Sequence, residues 1–136
     1  MLVVDASAVT ELLLGRPAGA LVAEHFADHD FALHAPHLVD VEVLSALRRL
    51  VASGEASVER AGEGLADMRD LPIERYPHDI LLARIWQLRE NFSAYDAGYV
   101  ALAEGVADEP VPLLTADGRL ARAIDDHTDV PVLLAA

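Results

Sequence analysis
Short apolar runs suited to buried strands alternate along this chain with stretches of helical period. Leu2–Val4 is the first run, and Ser7–Leu14 after it reads as a helix. Gly15-Arg16-Pro17 breaks that helix, and Pro17 suits the first turn of the next, which extends to about Ala27. Phe31–His34 reads as a second strand, closed by Pro36. Leu38–Val51 is strongly helical, with Gly54 where such a helix stops. Ser57 caps a helix over Val58–Arg69, although Arg60 stands where a capping box would place Glu. Ile73–Tyr76 is a weaker third strand. Asp79–Glu90 reads as a helix with a wide apolar face made by Leu81, Leu82, Ile85, Trp86 and Leu88. Ser93 caps a helix over Ala94–Val106. Val111–Leu114, a short helix over Gly118–Ile124, and Val130–Leu134 complete the chain.

Strands separated by helices predict βαβ units and a parallel sheet. Such a sheet is covered on both faces, so its strands need not alternate polar with apolar. The expected fold is α/β, a three-layer α/β/α sandwich. Ligands in open sheets of this kind bind beyond the carboxyl ends of strands, where strand order reverses.

Composition narrows this picture. The 136 residues, 53% hydrophobic, fit a single domain over 1–136 with a core that needs no staple. Cysteine is absent, which excludes disulfides and thiol chemistry and fits a reducing cytoplasm. No apolar run reaches the ~18–20 residues of a membrane span, and the N-terminus lacks the basic region of a signal peptide. All ten basic residues are Arg, against 23 acids, giving a formal charge of −13. Lysine-dependent chemistry is therefore excluded, including that of P-loops and phospho-receivers. The acidic balance argues against charge-driven binding to nucleic acid or anionic membrane.

Four acids stand in apolar company. Asp5 ends the first strand in Val3-Val4-Asp5-Ala6-Ser7, and Glu42 lies in mid-helix between Val41 and Val43. Asp96 opens a small, apolar helix, and Asp117 follows the fourth strand. Taken singly, each has an ordinary reading. Asp5 serves equally as a helix cap, Asp96 as a first-turn acid and Asp117 as a turn residue before Gly118. Glu42 is the hardest to explain in that way. Taken together, buried carboxylates without Lys partners would repel one another, and a divalent cation resolves that conflict. Oxygen-only ligation suits Mg²⁺ or Mn²⁺, one ion or two, and the natural substrate of such a site is a phosphodiester.

The segments around these acids carry a resemblance. They are Val3-Val4-Asp5-Ala6-Ser7; Pro36-His37-Leu38 with Glu42 and Ala46-Leu47-Arg48; Tyr95-Asp96-Ala97-Gly98-Tyr99; and Leu113-Leu114-Thr115-Ala116-Asp117-Gly118-Arg119-Leu120. In order and nearly end to end, the chain resembles PIN-domain ribonucleases, most closely VapC-type toxins of bacterial toxin–antitoxin pairs. The resemblance implies a five-stranded parallel sheet of order 3-2-1-4-5. It also implies Asp5, Glu42, Asp96 and Asp117 as catalytic ligands of Mg²⁺, with Mn²⁺ a substitute, and Ser7 and Thr115 as supporting polar groups. The implied reaction is endonucleolytic RNA cleavage to 5′-phosphate and 3′-hydroxyl ends, on tRNA or ribosomal RNA. The implied partners are a VapB-like antitoxin and a second copy of the chain. One departure is that Ser45 stands where the family often has Asn.

Arg48 and Arg49, two turns beyond Glu42, and Arg16 are candidate contacts to RNA or antitoxin, against the equal reading of a solvated face. RNA would have to be held by metal and by such a local patch. Trp86 reads as core or dimer interface before a base-stacking platform. His25 and His29 lack the Glu of a zinc-protease helix and read as ordinary polar residues near a helix end. Two alternatives remain open: a PIN-like module that only docks a partner, and a small-molecule phosphohydrolase of another α/β family. The haloacid-dehalogenase type of the latter needs Asp where Ser7 stands.

Overall fold
The computed structural model of the chain describes residues 1–136. Five parallel strands form one sheet: β1 Leu2–Val4, β2 Leu33–Pro36, β3 Ile73–Tyr76, β4 Leu113–Thr115 and β5 Val132–Leu134. Their order is β3-β2-β1-β4-β5, so β1 lies between β2 and β4, with Val4 beside Leu114. β1 is wholly buried, which is why Leu-Val-Val needs no polar alternation.

Seven α-helices connect the strands: α1 Ala6–Leu13, α2 Gly19–Asp28, α3 Leu38–Ala52, α4 Val58–Asp70, α5 Leu82–Gln87, α6 Ala94–Gly105 and α7 Gly118–His127. Right-handed crossovers put α1 to α4 on one face and α5 to α7 on the other, since the chain steps first towards β3 and then back past β1 to β4 and β5. α1 packs on α2, α3 and α4, while α6 lies against β1, β2 and β4. α6 is buried throughout Ala97–Ala103, and four of those seven residues, Ala97, Gly98, Ala101 and Ala103, are small enough to let it lie close.

Several boundaries differ from the periodicity reading; β4 and β5 each start two residues later than expected, and four other differences have a clear cause. β2 starts at Leu33, because Asp30 and Phe31 take φ of 55° and 54° and close the end of α2. There the Phe31 N–H donates to the Phe26 carbonyl at 2.9 Å, and Phe31 is exposed. α2 starts at Gly19, beyond Pro17, after a turn in which the Gly19 N–H donates to the Arg16 carbonyl at 2.8 Å. A Cβ at Gly19 would stand 2.7 Å from the Glu11 carbonyl oxygen, so only glycine lets α2 cross α1 this closely. The segment expected as one helix over Asp79–Glu90 divides into a 3₁₀ turn at Asp79–Leu81 and the short α5. Leu81 and Leu88 are buried, but Leu82 and Trp86 are exposed, since one short helix cannot turn so wide an apolar face onto α6. Trp86 is therefore no core residue: it is 68% exposed, with the Arg89 guanidinium 4.4 Å above its ring. Finally, α7 continues to His127, three residues past the expected end, and shortens the approach to β5.

Candidate active site
β1 and β4 are neighbours with the helices after them on opposite faces, so the sheet opens at their carboxyl ends. Asp5 leaves β1 there and Asp117 follows β4. α3 and α6 both begin at this edge, which carries Glu42 in from one layer and Asp96 from the other. All four acids line one open cleft of about 220 Å³, together with Ser7, Ser45, Arg49 and Tyr99.

Asp5 is 5% exposed and fully committed to hydrogen bonds. Its Oδ1 accepts the Ala8 N–H at 3.0 Å and the Ser7 hydroxyl at 2.7 Å. Its Oδ2 accepts the Thr115 hydroxyl at 2.6 Å. Burial pushes its carboxyl up to about 6, against the lowering effect of these three bonds, and the charge of Glu42 adds to the rise. The Ser7 and Thr115 hydroxyls are 3.2 Å apart, and the Ser7 oxygen accepts the Ala116 N–H at 2.9 Å. Ser7 and Thr115 thus tie the end of β1 to the end of β4.

Glu42 accepts the Tyr99 hydroxyl on Oε1 at 2.7 Å. Burial raises its carboxyl above the ordinary range, the Tyr99 bond opposes this, and the Asp96 charge raises it further. The buried phenol of Tyr99 is itself held protonated, chiefly by desolvation and by the negative charge of Glu42. Asp96 sits in the first turn of α6, where its own N–H donates to Ser93 at 3.1 Å. Burial raises its carboxyl, Arg119 lowers it, and Asp117 raises it. Asp117 caps α7 with Oδ1, which accepts the Arg119 and Leu120 N–H groups at 2.9 and 3.3 Å.

The ordinary readings of these acids are therefore true, and they coexist with the cleft. Asp5 and Asp117 cap helices, yet both also face the shared opening. Arg119 is the one basic side chain within ion-pair distance of any of the four acids. Its Nη2 lies 3.7 Å from Asp96 and 3.6 Å from Asp117, and the side chain is 75% exposed. No three His, Asp or Glu side chains of the chain converge tightly enough to cage an ion unaided. The His29 ring meets the His25 carbonyl at 2.8 Å, near the end of α2.

The three candidate arginines part company. Arg49 lines the acid cleft. Arg16 stands in an adjoining depression, 2.9 Å from Glu11. Arg48 lines a separate apolar groove between α3 and α4, beside Leu44, Leu47 and Val58. Sequence reasoning gave no site role to Tyr99 and Arg119. Tyr99 follows Asp96 by three residues, on the same side of α6, and Arg119 is a cation at a helix N-terminus, where the helix dipole disfavours one.

A PIN-domain family model matches residues 2–125. This chain belongs to the PIN-domain family. Within the family it stands with VapC-type members. It is 48% identical over 122 residues to Ribonuclease VapC1 of Mycobacterium tuberculosis, covering 89% of each chain. It is 38% identical over 133 residues to Ribonuclease VapC12 of the same organism, covering 98% of this chain and 99% of that one. Among solved structures, PAE2754 from Pyrobaculum aerophilum matches 96% of this PIN domain and 81% of its own chain, with a TM-score of 0.65 at 23% identity. That last likeness bears on the fold. No helix of this PIN domain is long and apolar enough to cross a membrane.

Proposed function
We propose that this PIN domain is a divalent-metal-dependent endoribonuclease, a VapC-type toxin held in check by a VapB-like antitoxin. One observation carries the reading. Four carboxylates from four elements meet in one cleft, one of them almost wholly buried, with one exposed arginine, Arg119, within ion-pair distance of two of them. Like charges gathered in a partly buried cleft call for a compensating cation.

The donor set fits Mg²⁺, with Mn²⁺ a substitute. It is all oxygen, and Mg²⁺ keeps several waters and takes only one or two carboxylates directly. Asp5, Glu42, Asp96 and Asp117 would hold it, directly or through water. Bound there, the ion would supply water of lowered pKa and stabilise charge on the phosphate.

The chain's own part is positioning and proton control. Ser7 and Thr115 fix both oxygens of Asp5, so it has no rotamer freedom left to lose. Tyr99 fixes Glu42 from the opposite layer. Burial raises the carboxyls of Asp5, Glu42 and Asp96 above the ordinary carboxylate range in the metal-free chain, and one of the four carboxylates would take the proton from the attacking water. Attack on phosphorus with departure of the 3′ oxygen leaves a 5′-phosphate and a 3′-hydroxyl. The substrate class, tRNA or ribosomal RNA, the homodimer and a cytoplasmic location belong to the same proposal.

The test is antitoxin-free protein on total cellular RNA, with Mg²⁺ or Mn²⁺ against EDTA, and wild type against Asp96→Asn, with 5′-phosphate ends mapped. Discrete cuts that need both metal and Asp96 support the enzyme. Absence of cuts with Mn²⁺ binding intact points to a small phosphoester substrate. Absence of both leaves a module that only docks a partner.

A further inference from the structure
The acid cleft continues past Asp117. A second depression, also about 220 Å³, adjoins it, and Ser7, Ala46, Arg49 and Asp117 line both. The balance of charge shifts along this path, from four carboxylates and Arg49 in the cleft to Arg49 and Arg16 against Glu11 and Asp117 in the depression beyond it.

The two arginines are poised differently. Arg49 lies seven residues after Glu42, two turns along the same face of α3. It has neither an ion pair nor a side-chain hydrogen bond, whereas Arg60, Arg75, Arg84 and Arg119 are all committed to carboxylates. Arg16 is anchored: its Nε stands 2.9 Å from Glu11 Oε2, a buried oxygen with no well-aligned hydrogen bond. The Arg16 side chain is 38% exposed, so Glu11 holds it at the rim while part of its fork stays open to solvent. Arg48, the sequence neighbour of Arg49, is turned to the α3–α4 groove and plays no part here.

We infer that the Arg16–Arg49 depression is a phosphate subsite, which receives the RNA phosphate next to the one cleaved. The inference rests on the ribonuclease reading. A strand with one phosphate among the carboxylates must leave the cleft, and this exit presents guanidinium groups, which match phosphate oxygens in pairs. It also gives a chain of formal charge −13 a local means of holding a polyanion.

The experiment measures binding of a fluorescein-labelled oligouridylate by anisotropy, in Mg²⁺, across a range of salt. Asp96→Asn protein is used so that the probe survives. Into it go Arg49→Ala, the pair Arg16→Ala with Glu11→Gln, which leaves the net charge unchanged, and Arg48→Ala as a control that removes the same charge as Arg49→Ala. Glu11→Gln prevents a stranded buried charge from unfolding the chain. The Arg49 and Arg16 variants are expected to bind at least about fivefold more weakly, with the slope of log K against log salt reduced by about 0.7 each. Arg48→Ala is expected to change neither. An equal loss for Arg48→Ala, or unchanged slopes for Arg49 and Arg16, overturns the subsite while leaving the nuclease intact. Wild-type protein that neither cuts nor binds RNA overturns the ribonuclease reading, and the subsite with it.

Discussion
Tyr99 donates its hydroxyl to Glu42 at 2.7 Å and so joins α6 to α3 across the carboxyl edge of the sheet. The two residues are 57 apart in sequence and belong to opposite helix layers. Tyr99 is 1% exposed, so its ring is core while its oxygen serves the cleft. Tyr99→Phe keeps the ring and removes only this bond. It is expected to cost about 1.5–3 kcal/mol in urea unfolding, as for hydrogen bonds to charged groups. Without its donor, the Glu42 carboxyl rises further, and Mn²⁺ affinity measured by calorimetry falls.

Asp5 makes stability depend on pH. Burial pushes its carboxyl up to about 6 in the fold, against 3.8 for an ordinary aspartate. The folded state therefore holds this proton more tightly than the unfolded chain. Its contribution favours folding most below the lower value and is lost as pH rises to about 6. The charged form then costs about 3 kcal/mol in metal-free protein. Metal-free Asp5→Asn is expected to melt above wild type at about pH 7.5 and to lose that advantage at about pH 4. Mn²⁺ is expected to raise the wild-type melting temperature more at about pH 7.5 than at about pH 5, and to leave Asp5→Asn nearly unmoved.

Asp117 both caps α7 and faces the cleft, and two substitutions separate these roles. Asn caps a helix about as well as Asp, so Asp117→Asn is expected to keep stability while losing Mn²⁺ affinity and RNA cleavage. Asp117→Ala loses both and about 1 kcal/mol of stability. Equal activity in the two proteins and wild type would leave Asp117 as a cap alone.

Arg119 spans Asp96 and Asp117 as an internal cation, at distances and exposure that make it easy to displace. Arg119→Gln is expected to tighten Mn²⁺ binding severalfold, because a competing charge is gone. Arg122→Gln removes the same charge one turn along α7, where the side chain touches neither acid, and is expected to change affinity by less than about twofold. Calorimetry on both variants checks the difference.

The sequence by itself determined the elements and the cast of acids. Apolar runs of three or four residues and caps at Ser57 and Ser93 follow local rules, and the structure places a strand or helix at each. Asp5, Glu42, Asp96 and Asp117 stood out because each is a charge among apolar neighbours. The order 3-2-1-4-5 came from resemblance, since no local pattern encodes which strands pair. Tertiary structure alone decided the rest. It split one apolar helix in two and left Trp86 in water, because burial depends on what a face meets. It separated Arg48 from Arg49, since 100° of helix turn sends neighbours to different grooves. It also made one carboxylate both cap and cleft wall, as at Asp5 and Asp117. A cap is settled within three residues of chain, whereas a cleft exists only where distant strand ends and helix starts meet.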